Sequence, residues 1–237
     1  MRIRSNSTSD WSVDDAAATA QLDPRAGGDA RRGAAGTAAP GGQDVDPSLV
    51  AAFDLETPYV LHLRSLRSSI LQHNVGDDDR RVRSCALIGL DCEPELAAMA
   101  ANLAVVMARL ETPTLLIDGN LSDAAMHRMV GRTATGGAQQ TPVADLWIAG
   151  SGAAGQTMLE RQPILERSYE WNVPAQLNLA ALSIDRSTGT ASIAAALVGF
   201  DSVVLVARKH VTMRRTARQL IDRLDEHRIS IVGVVLV

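Results

Sequence analysis

Lysine is almost missing from this chain. Its 237 residues contain a single one, Lys209, although arginine is common. A glycine-rich loop that cradles nucleotide phosphates carries a lysine to bridge the terminal ones, so no conventional loop of that kind can be built anywhere in this sequence. Aromatic residues make up 3 %, which leaves Ala, Val, Leu and Ile to form the core and suits parallel strands under alanine-rich helices. Cysteine is limited to Cys85 and Cys92, one inside an apolar run and one in the loop after it. They are read as reduced thiols in a reducing compartment. With two Cys and five scattered His, no metal site is expected. No apolar run reaches the roughly 18 residues of a membrane helix, and none follows the arginines of the N-terminal MRIRSNSTSDWSVDD, so neither a membrane span nor a secretory signal is expected. A net charge of −4 provides no field that would draw nucleic acid or an anionic membrane. The chain reads as cytoplasmic.

What is present divides into two parts. Residues 1–46 are Ala, Gly, Asp, Arg, Ser and Thr, with Trp11 as their one aromatic, and cannot bury enough surface to offset the entropy of ordering. A disordered tail is expected there, followed by one α/β domain over 47–237. In PSLVAAFDLETPYVLHLRSLRSSILQHN, apolar residues at helical spacing give an amphipathic helix, with Thr57 as N-cap and Pro58 at its first position. The runs 82–90, 113–119, 177–183, 202–207 and 230–237 are strands, apolar enough to be covered on both faces. Helices are expected at 93–110, 122–130 (capped by Ser122), 190–198 and 212–228. The segment PVADLWIAGSGAAGQTMLERQPILERSYEW is read as two short helices around a glycine-rich turn. Alternation of strand and helix means a mostly parallel sheet flanked by helices, with ligands beyond the carboxyl ends of the strands.

The stretch from Ser84 to Ala104, SCALIGLDCEPELAAMAANLA, has the frame of a phosphate-binding loop: a buried strand, a short loop, a helix. Further on come LLID at Leu115–Asp118 and HRMVG at His127–Gly131. In this order and spacing the segment resembles the bacterial tyrosine kinases of capsule and exopolysaccharide systems, in the ParA/MinD branch of P-loop proteins, and the resemblance extends over most of residues 56–237. It implies a P-loop NTPase-like, Rossmann-like three-layer fold. Aligned without gaps from AANLA, the family's P-loop glycines fall on Glu93 and Glu95, its lysine on Leu96 and its hydroxyl residue on Ala97. Every phosphate-binding group of the loop is therefore replaced.

The aspartate motif keeps Asp118 but has Asn120 at its second acidic position. Asp118 is read either as a structural hydrogen-bonding residue at a strand end or as a catalytic candidate. The third acidic motif of the family has its best counterpart at Asp185, without the prolines that follow it there. The glycine-rich Gly150–Thr157, GSGAAGQT, also matches a phosphate loop with Gln156 in place of lysine, and it is a weak match. The family's oligomerisation helix carries E-x-x-R-x-x-R. Leu61, Arg64 and Arg67 occupy those positions, so the resemblance implies contacts in a homo- or hetero-oligomer through Arg64 and Arg67, without the glutamate. The family's tyrosine-rich tail has no counterpart, since the chain has only Tyr59 and Tyr169. The resulting expectation is a non-catalytic relative with no cofactor, recruited to the inner membrane by a membrane-bound polysaccharide co-polymerase, with holdfast-type export as one setting. The alternatives are an active ATP–Mg²⁺-dependent autokinase, or a ParA-like ATPase, with an unconventional site.

Overall fold

The run SCALIGL forms β1 (Ser84–Leu90), buried at every position. Its side chains serve two cores. Cys85 and Leu87 enter one, and Ala86, Ile88 and Leu90 enter the other. Apolar residues at both phases of a period-two pattern are what a strand covered on both faces requires.

The computed structural model describes residues 45–73, 82–119, 121, 124–135, 137–150, 163–184, 189–210 and 214–237. Residues 1–44 of the expected tail lie outside them. Val45 packs against the core, and the Asp46 N–H donates to the Met129 carbonyl at 3.1 Å. After β1 and its preceding helices α1 (Val50–Phe53) and α2 (Pro58–Leu71) come α3 (Glu93–Arg109), β2 (Thr114–Asp118), α4 (Ala125–Met129), β3 (Gln139–Gln140) and β4 (Leu146–Gly150). The remainder is α5 (Ile164–Glu170), β5 (Leu177–Ile184), α6 (Thr190–Ala196), β6 (Ser202–Ala207), α7 (Arg214–Glu226) and β7 (Ser230–Leu236). The strands form one sheet in the order β3-β4-β2-β5-β1-β6-β7. Only the short β3–β4 pair is antiparallel. The expected β1–α3–β2 unit is present, but β5 lies between its two strands.

Helices α1 to α4 cover one face of the sheet and α5 to α7 the other. The α2 start is as expected: the Thr57 hydroxyl accepts the Val60 N–H at 3.3 Å and Pro58 opens the helix. Helix α3 carries apolar residues all round and is buried from Leu96 to Ala108 at all but one position, which suits a helix clasped between the sheet and other helices. Asn102 of AANLA is the polar exception within it, 1 % exposed. Its Oδ1 accepts the Ala51 N–H at 2.9 Å, and its Nδ2 donates to the Ser48 and Ala98 carbonyls at 3.1 and 2.9 Å. It thereby supplies an acceptor to the first turn of α1, where Leu49 offers no side-chain cap. At the amino ends of the strands, Asp201 clips β6 to β1. Its Oδ2 accepts the Arg83 and Ser84 N–H groups at 2.8 and 3.0 Å and the Ser84 hydroxyl at 3.0 Å.

Two local expectations are corrected. LWIAG, expected as helix, is β4, parallel to β2 with Leu146 opposite Thr114 and Gly150 opposite Asp118. A five-residue run bounded by Asp145 at φ 59° and Gly150 is too short for a stable helix, and pairing with β2 decides its state. Of the two helices expected there, the second is present as α5, while 151–162 lie outside the described residues. The short helix expected from Ser122 begins at Ala125, after Ala124 at φ 48°, and Ser122 itself is outside the described residues.

Asn102→Ala leaves the Ala51 N–H and Ser48 carbonyl without these buried partners. It should lower unfolding free energy by about 1–3 kcal/mol, read by urea denaturation. A change under about 0.5 kcal/mol, within the range of ordinary surface substitutions, would show that Asn102 is not the bracket between α1 and α3.

Candidate functional site

The carboxyl ends of β1, β2, β4, β5 and β6 lie side by side in the sheet. The turn from β1 into α3 is only Asp91 and Cys92, with Asp91 at φ 56° and Cys92 as N-cap. Phosphate-cradling loops owe their anion affinity to a run of converging backbone N–H groups. Here the helix begins at once, and Pro94 removes one first-turn donor. Glu93 and Glu95 place carboxylates in that first turn. They suit the helix dipole and repel an incoming phosphate. Glu95 is engaged: Arg208, just beyond β6, donates through Nη2 to both of its carboxylate oxygens at 2.7 Å. The pairing raises the Arg208 pKa further. Leu96, aligned with the family's lysine, is fully buried. A Cβ at Gly89 would stand 2.8 Å from its Cδ2 and 3.3 Å from Cys92 Sγ, so Gly89 is required by close packing of strand against helix. Ala97, aligned with the hydroxyl position, is buried as well.

Asp118 ends β2 and is 2 % exposed. Its Oδ1 accepts the Leu121 N–H at 2.9 Å, closing the turn after the strand. Burial pushes its carboxyl up to about 7, assisted by the Glu93 charge and opposed by the Leu121 hydrogen bond. Beside it stands His127 of α4, 1 % exposed, with neither ring nitrogen hydrogen-bonded among the described residues. Burial brings its pKa down to about 4, so the ring is neutral at pH 7. The two meet over Gly150, where an added Cβ would lie 2.5 Å from His127 Nε2 and 3.0 Å from Asp118 Cβ. Sequence reasoning used HRMVG as a family landmark and missed His127 as a neighbour of Asp118. The strand assignment of LWIAG, which brings Gly150 between them, was the signal needed.

The other candidates do not join this group. Arg64 and Arg67 lie on α2. Arg67 reaches the other end of α3, where Nη2 donates to the Leu110 carbonyl at 2.7 Å and to Thr112 Oγ1 at 3.0 Å. Asp185 and residues 151–157 of the glycine-rich decoy lie outside the described residues. β5, which leads to Asp185, ends at Ile184 opposite Leu90. Both thiols are buried and free, and burial raises each to about 12. No group of three or more His, Cys, Asp or Glu among the described residues is placed to hold a metal, and no helix among them is long and apolar enough to cross a membrane.

This seven-stranded, mostly parallel sheet flanked by helices matches the fold of solved tyrosine kinase domains. The kinase domain of the Escherichia coli tyrosine kinase ETK matches with a TM-score of 0.65 at 16 % identity, over 79 % of this chain and 78 % of that one. The BceF tyrosine kinase domain matches at 0.62 and 19 % identity, over 79 % and 81 %. The chimerical protein CapA2B2 matches at 0.66 and 17 % identity, over 81 % and 89 %. At such identities the likeness is one of fold. No protein-family model matches the chain, and neither does any curated protein.

The raised Asp118 pKa has a definite sign. The folded value of about 7 lies above the ordinary 3.8, so its contribution favours the folded state below about pH 4 and is lost as pH rises through 7. Asp118→Asn keeps an acceptor for Leu121 and removes the buried charge. Its advantage in unfolding free energy over the wild type should grow by about 1–3 kcal/mol between pH 5 and pH 8, measured by urea denaturation. His127, neutral at both pH values, cancels in the comparison. An advantage that stays constant between the two pH values would show that the carboxylate is not penalised in this position.

Proposed function

We propose that this protein is a non-catalytic relative of the bacterial tyrosine kinases, acting at the cytoplasmic side of the membrane as a binding or regulatory partner of a membrane-bound polysaccharide co-polymerase in exopolysaccharide biosynthesis and export. The observation that carries the loss of catalysis is the β1–α3 turn. It has two residues and no glycine, its lysine position is a core leucine, and its first helical turn holds a carboxylate already paired with Arg208. A nucleotide would have to replace that ion pair and approach Glu93 without any backbone cradle. Each missing charge-assisted contact forgoes roughly 1.5–3 kcal/mol. The partner class and the polysaccharide setting rest on the family resemblance of AANLA, LLID and HRMVG together with the kinase-domain fold. The expected outcome of titrating the full chain with ATP–Mg²⁺ in a calorimeter is no saturable heat. Binding at micromolar affinity overturns the reading.

One observation favours a second reading, an ATPase or autokinase with an unconventional site. Asp118 sits at a strand carboxyl end with a pKa near 7, where a general base works at neutral pH. Turnover of ATP by the purified chain that disappears in Asp118→Ala, with the fold retained by circular dichroism, would support it. Turnover indifferent to that change belongs to a contaminant. A ParA-like positioning protein would need nucleotide-gated dimerisation, which the same calorimetric titration tests.

A further inference from the structure

Strand β7 closes one side of the sheet: among the described residues its ladder partner is β6, and its other edge carries no strand. Strands β1 and β6 are buried at every position, whereas β7 is half-buried at all but Val235. An edge of this kind presents a row of backbone N–H and C=O groups that can pair with another chain. Charge and proline are the usual guards of such an edge, and SIVGVVL holds neither. Its bulge at Val232, which drops out of register between Ile231 and Gly233, leaves Gly233–Leu236 regularly paired to β6. A Cβ at Gly233 would meet nothing within 4 Å, so the middle of the strand is open.

Helix α7 decides what the edge can take. It joins β6 to β7, and a right-handed crossover lays it over that pair, antiparallel to both. Leu220 and Leu224 are buried, and Ala217 and Ile221 pack on the same core. With these turned to the sheet and α6 on one flank, the helical period puts Arg215, Arg218, Asp222 and Asp225 on the flank beyond β7, and all four are exposed. The stripe is basic in its first half and acidic in its second. A copy of the chain turned about a two-fold axis normal to the sheet, passing near Leu220 and Gly233, sets β7 antiparallel to β7 and α7 antiparallel to α7. Arg215 then faces the second copy's Asp225, and Arg218 the second copy's Asp222, each pair occurring twice. The spacing agrees. Helices seated over adjacent strand pairs are two strand spacings apart, about 9.6 Å, which falls within the roughly 8–10 Å at which helices pack.

We infer that the chain associates with a second copy of itself through β7 and α7, joining two sheets into one across a two-fold axis. A different protein at this edge would need the same alternation of charge, which a second copy supplies by symmetry. Helix α7 lies on the opposite face of the sheet from α2, so the arginines of α2 take no part. The pairing needs no nucleotide, which separates it from a ParA-like dimer and lets it stand or fall apart from the reading of the β1–α3 turn.

Sedimentation velocity of the full chain, without nucleotide, should show monomer passing to dimer as the concentration rises to about 100 µM. Hydrogen exchange read by mass spectrometry should slow in α7 and β7 over that range and stay unchanged in α2. Arg215→Glu with Arg218→Glu makes the stripe wholly acidic, and Asp222→Arg with Asp225→Arg makes it wholly basic. Each double variant, shown folded by circular dichroism, should dimerise about tenfold or more weakly than the wild type. An equimolar mixture of the two should recover wild-type association to within about threefold. Four results overturn the proposal: a chain that stays monomeric throughout, protection that appears in α2 in place of β7, double variants that dimerise as well as the wild type, or a mixture that associates no better than its components.

Discussion

Gly89 and Leu96 share one volume. With a Cβ at Gly89 the nearest side-chain atoms of Leu96 would be 2.8 and 3.2 Å away, so the last turn of β1 and the first turn of α3 touch with no room for another group. This contact requires the turn between them to be short, and two residues suffice. It also draws Leu96 fully into the core, which sets the phase of α3 and so decides which side Asn102 presents to α1 and where Arg109 emerges. A lysine at position 96 would have to bury an ammonium in that apolar space or push the helix outward, and either outcome undoes the packing. The contact that stabilises the centre of the domain is therefore also what keeps the β1–α3 turn short.

The same economy explains the charged residues around the turn. A helix N-terminus carries partial positive charge and orphan N–H groups. In a nucleotide-binding domain a phosphate meets that need. Here Glu93 and Glu95 supply carboxylates from within the helix, and Arg208 from the end of β6 fixes one of them. With both partners partly solvent-exposed, the pair contributes less to stability than to occupancy: it keeps anion and cation matched to each other. Asp118 shows the converse case. It is buried beside an uncharged imidazole, and the hydrogen bond from Leu121 does not offset desolvation.

Most of the fold was legible in the sequence because it is written in period and composition. Strands β1, β2, β5, β6 and β7 are apolar at both phases, and α2 carries its cap in Thr57–Pro58. Strand order was not legible: nothing in the local pattern of β5 says that it inserts between β1 and β2, because parallel pairing is a long-range choice. LWIAG failed for a related reason. Five residues carry too little periodicity to separate strand from helix. Of the candidate site, residue identities were readable at Glu93, Glu95, Leu96, Ala97 and Asp118. Their environments were not, because the Arg208 partner of Glu95 and the His127 neighbour of Asp118 come from elements distant in the chain.

Residue identities at one turn bear on one chemistry there, and a site elsewhere could supply it. The geometry adds that the β1–α3 turn is filled: Leu96 is taken up by packing, Glu95 by an ion pair, and the turn itself is short. Reopening it would require lengthening the turn, freeing Arg208 and rephasing α3 together, three changes coupled through the contact at Gly89. Such coupling keeps the fold while the loop diverges.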